Sequence, residues 1–294
     1  MSEDIKNKPP THILVDWNFF LNHQKNVKIP IYFDKENWIL NNLYRVRISH
    51  VYDPSKFWVV PKEKELDLFQ RYLHNFYSKY KDSYRIPEIN FSLQMYCVAY
   101  TEETFYRGRL VNVPLTNQEK HLAWVFLIDF GYMVKVELNN IYFMTTKMYT
   151  VPQFAIRSGL SGLGPIDSST WHSDAVTKFT ELVLNKVLFG LVTSKDDKNK
   201  ILWLNLGEYQ GSSQSLQSIN EILIREKIAK QLTVADVRGL KRTERKKRTP
   251  YMAFHNIEPI IPFLLPTFDS LENNFCADTA VANDLLQQFQ LKRY

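Results

Sequence analysis

Residues 97–111 read CVAYTEETFYRGRLV and, beyond a polar break, residues 124–134 read WVFLIDFGYMV. Both segments are rich in β-branched and aromatic residues and are interrupted by turn-forming residues, so they predict two β-hairpin arms of a small barrel. Tyr100 and Tyr106 lie on the first arm, and Phe130 and Tyr132 flank Gly131 on the second. Rings gathered at the lip of a barrel make a pocket for a flat or quaternary cation, each well-placed ring contributing about 0.5–2 kcal/mol. That pattern points to a reader of peptides rather than a catalyst.

Working outward, the chain has 294 residues, 45% hydrophobic and 14% aromatic, enough for one large or two small domains. Its net charge is +6, but Lys241, Arg242, Arg245, Lys246, Lys247 and Arg248 all fall in one octet. The remainder is nearly neutral, so global charge argues only weakly for nucleic acid. The octet reads as a solvated linker, a nuclear-import signal or an RNA contact. The apolar stretch after it, PIIPFLLPTFDSL, either packs back on the domain or docks a partner. Two distant cysteines, Cys97 and Cys276, cannot make a zinc site alone and fit a reducing intracellular compartment. The leader MSEDIKNKPP lacks the apolar core of a signal peptide, and no apolar run reaches the roughly 18 residues that span a bilayer. No membrane, metal or cofactor is expected.

Catalytic patterns are also missing. Asp53, Asp167 and Glu208 show no spacing that marks a metal-holding set, no close His/His or His/Cys pair occurs, and no GxSxG, phosphate loop or HExxH is present. The sequence therefore predicts no catalytic residues.

The organisation is that of an interrupted domain. Residues 1–10 read as a disordered leader, and 11–43 give no clear assignment. Strands are expected at 44–51 and 56–60 around Asp53-Pro54-Ser55. A helix follows whose Leu66, Phe69, Leu73, Phe76 and Tyr80 share a face. Four or five strands come next over 96–143, with bends at Gly108 and Gly131. A second helix carries Trp171, Ala175, Phe179, Leu182, Val183 and Val187, with Ser168 to Thr170 available as caps. Strands 187–193 and 200–206 precede a capping box, Ser218-Ile219-Asn220-Glu221, that opens a third helix through Lys230. The expected boundaries are 11–90, 91–150 and 151–240, then a basic segment and tail over 241–294. The middle unit looks inserted into an OB-like unit, which makes a mostly β, α+β fold.

In that order, VRISHVYDPSKFWVV, CVAYTEETFYRGRL, VFLIDFGYMVKV, VPQFAIRSGLSGLGPI and SINEILIREKIAKQL resemble successive pieces of the extended Tudor domain family. The resemblance covers roughly Leu43–Leu232. It implies a Tudor barrel joined by a helix to a split, staphylococcal-nuclease-like OB unit. It also implies binding of arginine-rich peptides, often dimethylated, from PIWI-type proteins of the piRNA pathway. Residence in cytoplasmic germline granules follows from the same likeness, and the octet adds the nucleus as an alternative. Carried over by position, Tyr100, Tyr106 and Phe130 match cage rings. Leu127 stands where another aromatic is expected, and Tyr132 where an asparagine accepts from the guanidinium. Both departures favour an unmodified or atypical arginine. Asp129 is expected to make a structural contact, with Arg107 as a partner. Two alternatives remain open: RNA binding through the OB-like face and the octet, and an adaptor whose cage binds nothing.

Overall fold

The structure, a computed structural model, describes residues 28–87, 90–111, 122–167, 170–197, 199–209 and 216–232. The leader, the basic octet and the apolar tail lie outside the described residues, as do Ser168 and Ser169.

In chain order, β1 (Leu43–Asp53) and β2 (Lys56–Val60) lead into helix α1 (Glu63–Tyr80). Five strands follow: β3 (Tyr96–Thr101), β4 (Thr104–Leu110), β5 (Leu122–Leu127), β6 (Tyr132–Glu137) and β7 (Ile141–Phe143). The chain returns through β8 (Ile156–Leu160), β9 (Leu163–Gly164), α2 (Ser173–Val183), β10 (Val187–Asp196) and β11 (Ile201–Tyr209). It continues through β12 (Leu216–Ser218), α3 (Ile219–Arg225) and β13 (Lys230–Gln231). Two compact units result. One holds Lys64–Pro152; the other holds Ile31–Glu63 together with the described residues from 153 to 232.

The split unit is an OB-type barrel. Its strands run in the order β10-β1-β2-β8-β11-β12, and β10 also pairs with β11, which closes five of them into a ring. All of these pairings are antiparallel except β8 with β11. Alternate residues of the strands fill the interior, among them Val46, Ile48, Leu188 and Leu204. The apolar face of α2 covers it, with Phe179 meeting Phe57 edge to face at 5.3 Å. The intervening chain leaves from β2 and returns on β8, its direct neighbour, so the insertion interrupts no strand pairing.

The inserted unit is a five-stranded antiparallel barrel in the order β6-β5-β4-β3-β7. Side chains alternate across a strand, and one face of this sheet carries Cys97, Ala99, Leu110, Val125, Leu127 and Val136, all buried. Helix α1 clusters with this unit rather than with the OB strands, unlike the boundary at residue 90 expected from sequence. Packing explains it: Leu66, Phe69, Leu73 and Tyr77 are buried, and the Tyr77 hydroxyl donates to the Phe143 carbonyl.

Several local expectations change. Gly108 does not bend the chain; it lies within β4, where a Cβ would sit 2.2 Å from a Val125 methyl. Gly131 is the turn glycine, with φ 87°. Helix α1 buries Tyr77 rather than Phe76 and Tyr80 as its fourth contact, which keeps closer to the helical period. Helix α2 begins after His172, whose side chain makes no cap bond. Ser218 does cap α3, accepting from the Glu221 N–H at 3.3 Å. That helix stops at Arg225 rather than Lys230, because Lys227 is left-handed at φ 57° and the N–H groups of Ile228 and Ala229 turn back to the Leu223 carbonyl.

Candidate functional site

The β3–β4 hairpin sets the faces. Its two-residue turn, Glu102-Glu103, pairs Thr101 with Thr104, Tyr100 with Phe105 and Ala99 with Tyr106. Directly opposed residues share a face and successive pairs alternate. Tyr106 therefore continues the interior column of Ala99 and Cys97, and Tyr100 points the other way. Gly108 pairs with Leu127, and Leu127 with Tyr132, so Tyr106, Leu127 and Tyr132 share the interior face.

Three aromatic rings meet at the end of that face. Tyr106 and Phe130 touch edge to face at 5.3 Å and 83°, and Phe130 meets Tyr132 at 6.3 Å and 68°. All three are half-buried, and Leu127 beneath them is fully buried. Successive edge-to-face contacts make a corner of ring faces rather than two parallel plates. A flat cation can lie against such a corner, over the negative face of one ring and beside the next. Both hydroxyls are harder to ionise than an ordinary tyrosine. For Tyr132 the causes are burial first, then the neighbouring Tyr106 and Glu102; for Tyr106 they are burial, then Glu102. At neutral pH the corner thus presents neutral rings beside one carboxylate.

Tyr100 does not join this group. Its ring packs on Phe105 at 4.6 Å, and Lys81 lies 5.9 Å from its centroid. The sequence pattern suggests Tyr100 as a pocket residue; the hairpin register places it on the outer face instead.

Behind the corner, Arg107 is completely buried and uses all five of its N–H donors. Nε donates to Asp129 at 2.8 Å and one Nη to the other Asp129 oxygen at 2.6 Å. The remaining donors reach the carbonyls of Met148, Val151 and Pro152 at 2.7, 2.6 and 3.0 Å. Its flat face lies 4.5 Å from the centroid of Phe69 on α1. Asp129 is equally buried, so this is a closed structural hub with no donor left for a ligand.

Among the described residues no group of three or more His, Cys, Asp or Glu side chains could hold a metal ion, and no helix is long and apolar enough to cross a membrane. Lys241, Arg242, Arg245, Lys246, Lys247 and Arg248, the RNA or import candidates, lie outside the described residues.

The family model described as Tudor domain matches residues 39–162. The matched span takes in the whole five-stranded barrel, which is similar to a Tudor domain. The solved structures extend that to the whole two-unit architecture. The extended Tudor domain TD3 of mouse TDRD1, in complex with a MILI peptide containing dimethylarginine 45, superposes with a TM-score of 0.58. It is 15% identical, and the match covers 67% of this chain and 97% of that one. The Drosophila melanogaster Papi extended Tudor domain gives a TM-score of 0.58 at 21% identity, covering 65% and 100%. A point variant of that Papi domain, in complex with a Piwi N-terminal R10-unme peptide, gives 0.56 at 20% identity, with the same coverage. Human Tudor domain-containing protein 6 is 22% identical over 166 residues, which is 55% of this chain and 8% of that protein. The zebrafish (Danio rerio) Tudor domain-containing protein 5 is 26% identical over 169 residues, again 55% of this chain and 18% of that protein. The fold is thus the extended Tudor fold, and the chain spans a small share of those longer relatives.

Proposed function

We propose that this chain is a non-catalytic binding module that takes an arginine side chain of a partner peptide against the corner formed by Tyr106, Phe130 and Tyr132. The single observation that carries the reading is the convergence of these rings at the end of the barrel interior, held from behind by Arg107 and Asp129. The peptides bound by the TDRD1 and Papi domains supply the ligand class. With Leu127 in the floor and Tyr132 in place of the expected asparagine, the corner has fewer walls and no amide acceptor, which favours unmodified over symmetrically dimethylated arginine. A PIWI-type protein is the proposed partner, and a germline granule the proposed site of action.

The test is calorimetric titration with short arginine–alanine and arginine–glycine peptides, unmodified and symmetrically dimethylated. Saturable binding that Tyr106→Ala removes supports the reading. Absence of binding by every peptide overturns it and leaves an adaptor role.

A further inference from the structure

We infer that Glu102 is the specificity-determining residue of the ring corner, an anionic wall that selects a guanidinium with its terminal N–H groups intact. This rests on the arginine reading above and deepens it.

The placement follows from the hairpin. Thr101 and Thr104 form the last pair of β3 and β4, and they lie on the same face as Ala99 and Tyr106. The turn Glu102-Glu103 therefore closes the end of that face, about 10 Å along the strand from Tyr106 at the usual rise per residue. Both turn residues are left-handed, with φ 49° and 61°, a conformation that glycine or asparagine ordinarily supplies. Two glutamates in these positions put acidic side chains where the turn alone would select against them. Both are exposed, and among the described residues no lysine or arginine pairs with either. The Glu102 charge also raises the Tyr106 and Tyr132 hydroxyls, after burial, in keeping with a turn at the ring-bearing end of the face.

A carboxylate in this position does what a ring cannot. It accepts two parallel N–H bonds from an unmodified guanidinium, the strongest geometry that group offers. Methylation keeps the positive charge but blocks that bidentate contact. The rings respond mainly to charge and shape, so the carboxylate is the element that separates the two forms. Lysine offers a point charge with no fork and gains less.

The experiment measures Kd of the full chain for one arginine–alanine peptide, unmodified and symmetrically dimethylated, with Glu102→Gln, Glu102→Asp and Glu103→Gln. Glu102→Gln is expected to weaken the unmodified peptide roughly three- to tenfold, the range for an exposed charge-assisted contact, and to leave the dimethylated one nearly unchanged. Glu102→Asp restores part of the preference, and Glu103→Gln, with the same change in net charge, leaves the ratio as in the wild type. An unchanged ratio in Glu102→Gln, or an equal effect from Glu103→Gln, overturns the inference while the arginine reading stands. Wild-type chain that binds neither peptide overturns both.

Discussion

Arg107 and Asp129 form a buried bidentate pair, at 2.8 and 2.6 Å, and the residues adjacent to them in sequence, Tyr106 and Phe130, form the edge-to-face contact at 5.3 Å. Side chains alternate along β4, so pinning Arg107 on one face fixes the direction of Tyr106 on the other. The same carboxylate anchors the turn that carries Phe130. One ion pair therefore positions two rings of the site without touching a ligand.

Removing one partner of a fully buried pair strands the other charge, at a cost of about 3–5 kcal/mol. Asp129→Asn and Arg107→Met are each expected to lower the urea midpoint accordingly. The double variant Arg107→Met/Asp129→Leu is expected to lose less than the sum of two single losses, since no unpaired charge remains. Additive losses would show that the two side chains do not act as a pair.

Gly108 is tightly packed inside the small barrel. A methyl added there would lie 2.2 Å from the Val125 side chain and 3.3 Å from the Phe126 carbonyl. Gly108→Ala is expected to cost about 1–3 kcal/mol, read as a lower thermal midpoint.

Alkaline pH should destabilise the barrel unit through its buried tyrosines. Burial, with Tyr72 and Tyr80 adding to it, pushes the Tyr84 hydroxyl from 10.0 up to about 12. Tyr77, which it meets edge to face at 5.9 Å, is raised well above its ordinary value, first by burial and then by Tyr84. A folded-state pKa above the unfolded one means that the unfolded chain releases its protons first. The stabilisation is complete below pH 10 and declines as pH rises from 10 through 12. Denaturant midpoints measured across that range are expected to fall, together with the rise of tyrosinate absorbance.

Tyr132 occupies the position at which the family resemblance expects asparagine. Tyr132→Asn removes one ring and introduces a planar carbonyl acceptor. Its expected result is tighter binding of symmetrically dimethylated peptides relative to unmodified ones, whereas Tyr132→Ala weakens both. Calorimetry on the two variants separates the acceptor from the vacancy.

Most of the fold is legible in the sequence because strand alternation, the Ser218 cap and the apolar face of α2 are local signals. The order of pieces then identifies a barrel inserted into an OB unit. Facing is less legible. Tyr100 and Tyr106 both look like pocket residues at a six-residue spacing, but a two-residue turn sets Tyr106 opposite Ala99 and Tyr100 opposite Phe105. Nothing in the spacing alone fixes that turn length. Glu102 is hidden for a related reason: an acidic turn residue reads as solvated surface until the register places its turn at the end of the ring-bearing face. Tyr77 is masked by Phe76, the more apolar of two neighbours, and its hydroxyl finds a partner, the Phe143 carbonyl, only in the folded barrel.

If Tyr106, Phe130 and Tyr132 form the ligand-contacting face and Tyr100 lies outside it, ring signals will report the difference. Side-chain NMR of the aromatic rings during titration with an unmodified arginine–alanine peptide tests this most directly. The expected result is saturable shifts of the Tyr106, Phe130 and Tyr132 ring signals at one common Kd, with Tyr100 unmoved. Shifts centred on Tyr100 and Phe105, with the three-ring corner silent, would contradict it.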